Sequence, residues 1–357
     1  MFHIMRNNAK RGTQFKRTLV EILRQRLPPG WSVELRPGER HEEQLSLKAS
    51  DGRQASLTLI SRSVLSPKDV SYLVRQAPPA TLLLSAPFLS PRTRELIANA
   101  GASYADATGN LRVVTADPAV FVGSQGADRD PDRQPRPLRS LKGAAAARVV
   151  RALCDFEPPF GVRTLAECSV TPLGTVSRVV SFLEEEALLT RDQKKVVTAV
   201  DWPALIKRWV TDYSVTGSNA MSSHLEPRGL VALASSLRTL GRYAVTGSLA
   251  ATGVVAPARL AMVYVENAEK AAQTLELVPT ETGANVWLLE PYDEVVFERT
   301  QTKPFGAAQP PVSIIAAASS QVVADLMTSP GRGPQEAEAL IEKMKGSEHA
   351  WRQSARP

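Results

Sequence analysis

The chain has 357 residues, 43% of them hydrophobic and 22% charged, an ordinary balance for a globular protein of two or three domains. No apolar run approaches the ~18 residues that a membrane span needs, and the basic start MFHIMRNNAKRGTQFKR lacks the apolar core and cleavage site of a secretory leader. The net charge is +7, and residues 1–40 hold most of it, with nine Lys/Arg against three Asp/Glu; such a segment attracts phosphates or acidic partners, or solvates a helix face.

From the N-terminus, Phe15, Leu19, Ile22, Leu23 and Leu27 fall at helical spacing within residues 14–27, and Pro28-Pro29-Gly30 ends that helix. Strands are expected at Trp31–Arg36, Gln44–Lys48 and Gln54–Ile60, with Asp51-Gly52 as a tight hairpin. A helix follows at Pro67–Arg75, then a buried strand at Thr81–Ala86. Ser90 caps a helix from Pro91 to Ala100 that Gly101 stops. Strands at Leu111–Val114 and Ala119–Val122 complete an α/β domain of order αβββαβαββ over residues 1–125. Residues 126–138, charged and proline-bearing, read as a linker.

The next segment, residues 139–213, carries the main functional signal. A helix at about Leu141–Phe156 is broken by Glu157-Pro158-Pro159. A short helix, Arg163–Cys168, leads through Ser169–Thr171 into a longer one, Pro172–Glu186. Strands at Leu188–Arg191 and Lys195–Val200 are joined by the polar turn Asp192–Lys194, and Asp201 caps a closing helix, Trp202–Asp212. Two helices joined by a tight turn and followed by a hairpin make a winged helix-turn-helix. Leu165, Ala166, Val176, Val179, Val180 and Leu183 form its inward face, and Val170 plugs the corner. Thr175, Ser177, Arg178 and Ser181 face outward, with Thr171 at the entrance. An arginine there can grip guanine O6 and N7, while Arg191, Lys194 and Lys195 put cations on the wing for phosphates. Lys10, Arg11, Lys16 and Arg17 add phosphate contacts that read no sequence.

The last part, residues 214–345, is again α/β. Strands are expected at Tyr243–Val245, Leu260–Val265, Ala284–Leu289 and Glu294–Phe297, with helices at Ala268–Leu275 and Pro334–Met344. Residues 346–357 read as a flexible tail.

The stretch from Gly174 to Arg191, GTVSRVVSFLEEEALLTR, resembles the winged helix-turn-helix of MarR-type regulators, whose turn usually carries glycine where Ser169 stands. Together with Leu82–Val113, which includes the Tyr104-Ala-Asp106-Ala-Thr-Gly109-Asn110 signature, and with Ser320–Met344, it makes the whole chain resemble actinobacterial proteins similar to AbiEi-type antitoxins of type IV toxin–antitoxin systems. That resemblance implies a DNA-binding transcriptional regulator, and it leaves open a cognate toxin protein as partner.

Enzyme chemistry is the alternative. The N-terminal order resembles the PD-(D/E)xK nuclease core, but Leu59-Ile60-Ser61-Arg62 lacks the Glu-x-Lys that holds a metal, and Glu34, Glu43 and Asp51 have no pair at the expected spacing. Gly247-Ser248 followed by Glu266 resembles a nucleotidyltransferase, but a lone carboxylate cannot place two metal ions. Asp106 and Asn110 are expected to make turn hydrogen bonds. With two cysteines, Cys154 and Cys168, and four scattered histidines, no zinc site has usable spacing, and a reduced, cytoplasmic compartment follows. The expectation is thus a multi-domain α/β protein with degenerate restriction-endonuclease-like and nucleotidyltransferase-like end domains around a winged helix. It binds double-stranded DNA as a homodimer, with no cofactor, no metal and no catalysis. A nucleic-acid-processing enzyme and a protein-interaction scaffold remain the alternatives.

Overall fold

A computed structural model of the chain describes residues 19–37, 43–131, 140–251, 257–306 and 311–354. The chain divides into two compact units, one built from Met1–Pro137 with Glu185–Ala187 and the other from Leu138–Glu184 and Leu188–Pro357. Among the described residues, no helix is long and apolar enough to cross a membrane.

The first unit is a seven-stranded mixed sheet in sequential order. After α1 (residues 19–26) come β1 (Ser32–Pro37), β2 (Glu43–Lys48) and β3 (Gln54–Ser61), an antiparallel meander. Helix α2 (Pro67–Leu73) leads to β4 (Leu82–Ala86), which pairs parallel with β3. Helix α3 (Pro91–Asn99) returns to β5 (Ser103–Asp106), parallel to β4, and β6 (Leu111–Ala116) and β7 (Ala119–Ser124) close the sheet antiparallel. All five residues of β4 are buried because helices cover both faces: Leu83 joins the core under α1, and Leu82 and Leu84 join the core under α2 and α3. Ser90 caps α3 by accepting from the Thr93 amide, as expected.

Two sequence expectations change in this unit. Strand β5 lies inside the YADATGN signature, where only a turn was expected, so the order is αβββαβαβββ. Four residues with polar side chains at both ends carry too little alternation to read as a strand, and β5 is stabilised by its partners β4 and β6. Residues 126–128, expected to belong to the linker, are bonded into the first unit. The Asn110 carboxamide bonds the Gly126 amide and the Ala127 carbonyl, and Asp128 pairs with Arg94 at 2.6 Å. Asp106 accepts from Leu89, Thr108 and Asn110. The signature therefore ties the chain's exit from the sheet to the start of α3.

In the second unit, α4 (Ala144–Asp155) is followed by an unexpected short strand, β8 (Phe156–Glu157), where the first helix was expected to end. Apart from that strand, α4, α5 (Val162–Cys168), α6 (Leu173–Glu185), β9 (Leu189–Arg191), β10 (Val197–Val200) and α7 (Trp202–Trp209) keep the expected order. Then come α8 (Val215–Ser218), β11 (Ala220–Leu225), α9 (Leu230–Ser236), β12 (Tyr243–Thr246), α10 (Gly247–Ala250), β13 (Ala261–Val265), α11 (Ala268–Thr274), β14 (Val278–Pro279) and β15 (Val286–Glu290). The chain ends with β16 (Gln301–Phe305), β17 (Val312–Ala316), α12 (Ser319–Met327), α13 (Gly333–Lys345) and β18 (Gln353–Ser354). A seven-stranded sheet runs β14-β11-β15-β13-β12-β17-β16.

Residues 139–213 and 214–345, expected as separate domains, share one unit and one continuous core, which holds Val149 and Leu153 of α4 together with Val245, Val263 and Val323. Helix α12 (SSQVVADLM), which local pattern did not single out, is the buried link, with eight of its nine residues buried. Two further expectations fail. Glu294–Phe297 is a 3-10 turn, not a strand, because Asp293 caps it by accepting from the Val295 amide at 2.9 Å. As far as Ser354 the tail is tied down and not flexible: β18 pairs parallel with β8, and Arg352 donates to the carbonyls of Leu153, Cys154 and Phe156.

Candidate nucleic-acid interface

The arrangement of α5, turn and α6 starts from its inward side chains. Leu165, Val176, Val179, Val180 and Leu183 are buried in one cluster, the last four at the i, i+3, i+4, i+7 spacing of a single helix stripe. Helices α5 and α6 are joined by a Schellman turn. The Val170 amide donates to Glu167 and the Thr171 amide reaches back to Ala166, while Val170 itself sits at φ 46°. Glycine is usual at that position because a β-branched side chain is strained there. The left-handed residue is thus Val170 and not Ser169, which is helical and buried, with its hydroxyl donating to the Leu165 carbonyl. Nor does Val170 plug the corner: it is 77% exposed, because its left-handed backbone turns the side chain away from the core.

Strands β9 and β10 form an antiparallel hairpin, and an antiparallel bridge between Phe160 and Val197 adds a third short edge to it. The hairpin turn is closed by Asp192, which accepts from the Val196 amide, with Lys195 at φ 65°.

The structure separates the expected contact residues into three groups. Ser177, Arg178, Lys194 and Lys195 are exposed. The Arg178 Nε donates to the Gly174 carbonyl at 3.2 Å and its Nη2 to the Thr175 hydroxyl at 3.3 Å, so the side chain lies along its own helix.

Thr175 and Ser181 are half-buried. Two residues leave the outer face altogether. Thr171 is buried and donates its hydroxyl to the Ser169 carbonyl at 2.9 Å. Arg191 is not a cation of the hairpin tip: its side chain is 10% exposed, ion-paired with Glu184, and also donates to the Ser181 hydroxyl. The charge that was expected to meet phosphate is neutralised within the module. Lys10, Arg11, Lys16 and Arg17 lie outside the described residues.

Sequence reading missed the opening turn of α6. Pro172, Leu173 and Gly174 are exposed; Gly174 shares the face of Ser177 and Arg178 away from the buried stripe, and Pro172 and Leu173 are exposed because the helix begins there. The helical wheel carries part of that signal, since positions 174, 177 and 178 lie on the side away from 176, 179, 180 and 183, whereas Leu173 falls near the stripe. Polar side chains alone do not reveal it.

The module is mounted on the rest of its unit through buried charge. The Arg151 Nε donates to Asp155 at 3.1 Å, the Arg299 Nε donates to the same carboxylate at 2.8 Å, and the Ser320 hydroxyl donates to its other oxygen. Burial pushes the Asp155 carboxyl up, but the two guanidinium groups outweigh it and hold it below the usual carboxylate range. A second buried carboxylate, Asp325, accepts from Tyr213, Tyr264, Thr246 and Gln321, all uncharged, and burial holds it above the usual range. Burial also pushes the Cys154 and Cys168 thiols up.

The residues of the two enzyme patterns do not converge. In the first unit, Ser61 bonds Ser85 across β3 and β4. In the second, Ser248 donates to Glu336 beside Gly247, whereas Glu266 follows the far end of β13 and lies 3.9 Å from Arg242. Among the described residues, no group of three or more His, Cys, Asp or Glu side chains is placed to hold a metal ion. No family model matches the chain, and no curated protein or solved structure matches it significantly.

Proposed function

We propose that this chain is a sequence-specific double-stranded DNA-binding protein that acts as a transcriptional regulator, with residues 139–213 as a winged helix-turn-helix. One observation carries the reading: the first half of α6 is solvent-exposed opposite its core stripe, and a short hairpin bearing exposed Lys194 and Lys195 follows it. A helix start of this kind enters the major groove, and the hairpin reaches the adjacent backbone. Residues 168–183 contain no Asp or Glu, so the turn and the exposed part of α6 carry no charge that repels phosphate, and exposed Glu167 lies just outside them. Arg178 reads a base edge, Ser177 and Thr175 support it, and Lys194 and Lys195 neutralise phosphates.

In this reading the protein works in the cytoplasm, carries out no covalent chemistry and binds two half-sites as a homodimer, in the manner of antitoxin-like repressors. The cations of residues 1–40 add affinity without sequence preference. A genome-wide map of DNA bound by the full-length chain tests the proposal. Enrichment of one motif upstream of a few genes, lost in Arg178→Ala, is the expected result. Uniform recovery, or none, would overturn it.

A further inference from the structure

The exposed start of α6 is short of hydrogen-bonding side chains. Val170 is 77% exposed and Leu173 48%, three positions apart, and Pro172 and Gly174 complete the surface. Folding does not explain these choices. Val170 occupies a left-handed position that glycine fills without strain, at a cost of about 1–3 kcal/mol. Its side chain recovers little of that by burial. Gly174 is the second residue of α6, where glycine fixes the backbone less well than alanine, yet a Cβ there would meet nothing within 4 Å. An absent side chain in open space serves close approach by another body, and two exposed apolar side chains beside it need an apolar surface to meet.

We infer that Val170 and Leu173 read thymine methyl groups in the major groove, with Gly174 admitting the DNA edge and Arg178 taking the adjacent guanine. The inference rests on the DNA-binding proposal. It adds that the half-site is recognised largely by apolar contact, so that its sequence places thymine next to guanine. Duplex DNA is the occupant favoured over a protein surface because residues 168–183 hold an arginine and no carboxylate, and the hairpin that follows presents exposed Lys194 and Lys195. The thymine methyl is the one apolar group that the major groove offers.

The test removes that methyl and nothing else. A duplex site is first selected from a random library with the full chain, and each thymine is then replaced singly by deoxyuridine. Wild-type protein is expected to lose about fourfold in affinity at one or two positions, the equivalent of one methyl returned to water. Leu173→Ala and Val170→Gly, checked as folded by thermal melting, are each expected to bind more weakly and to become indifferent to deoxyuridine at the matching position. Indifference of the wild type at every thymine overturns the inference and leaves the DNA-binding proposal standing. Persistent deoxyuridine sensitivity in both variants also overturns it, because another side chain then reads the methyl. Failure to select any sequence overturns both.

Discussion

Arg148 and Asp293 form a clamp between α4 and the 3-10 turn at residues 294–297. The Arg148 Nε lies 3.0 and 2.9 Å from the two carboxylate oxygens, and its Nη1 donates to the Val170 carbonyl at 3.3 Å. The Asp293 side chain is 3% exposed, and this pairing raises the guanidinium above its ordinary value. One side chain thus connects the α5–α6 turn to the large sheet's connections. Arg148→Met should cost about 2 kcal/mol, the range for hydrogen bonds to a charged group, and should also weaken DNA binding by loosening the Val170 turn. Urea unfolding and a DNA titration on the same preparation check both effects; a stability loss with unchanged affinity would separate the clamp from the interface.

Arg191 and the lysines of the hairpin should behave as different kinds of cation. Arg191 is largely enclosed with Glu184, so Arg191→Ala should lower stability by about 1–3 kcal/mol through the carboxylate left without its partner. The salt dependence of DNA binding should not move. Changing Lys194 and Lys195 together to alanine should leave stability within about 0.5 kcal/mol. It should make the log–log salt slope shallower by about 0.9 for each phosphate that is no longer neutralised. Binding titrations at several salt concentrations distinguish the two.

The two buried carboxylates of the second unit should respond to acid in opposite directions. Asp155 is held below the usual range, so its contribution to stability is present above the unfolded carboxylate value and is lost as pH falls through the lower folded value. Asp325 is held above that range, so stability declines as pH rises from the unfolded carboxylate value to the raised folded value. Melting temperatures from about pH 3 to about pH 8 should show a flatter upper limb in Asp325→Asn than in wild type. Asp155→Asn should be strongly destabilised at neutral pH, by about 3–5 kcal/mol, because Arg151 and Arg299 then lose their counter-charge.

The C-terminal residues should act as structure. Trp351 packs edge-on against Trp202 with centroids 4.9 Å apart, and the Trp202 Nε1 donates to Glu348 at 2.9 Å. Deleting residues 347–357 should lower the melting temperature, and Arg352→Ala alone should cost about 2 kcal/mol through its hydrogen bonds to carbonyls. An unchanged melting curve on either variant would mean that the segment does not hold β8 and α7.

The periodicity of α6 was legible in the chain because the side chains that define it lie within one helix. Val176, Val179, Val180 and Leu183 point one way whatever they pack against, and the caps at Ser90 and Asp201 likewise depend on residues three positions away. The helix–turn–helix order, the hairpin after it and most of the first sheet follow from such local signals. What local pattern could not decide is which polar groups are already satisfied. Arg191 is a free cation in the sequence and a paired one in the fold because Glu184 lies seven residues away on another element. Thr171 is a surface hydroxyl until the Schellman turn rotates it inward, and Val170 is a core residue until the same turn places it in solvent. Strand β17 and helix α12 gain their burial from partners more than fifty residues distant, as in the pairing of Val245 with Ala316. Periodicity reports which side of an element is apolar; only the tertiary structure decides what each side meets, because that depends on distant segments arriving at the same place.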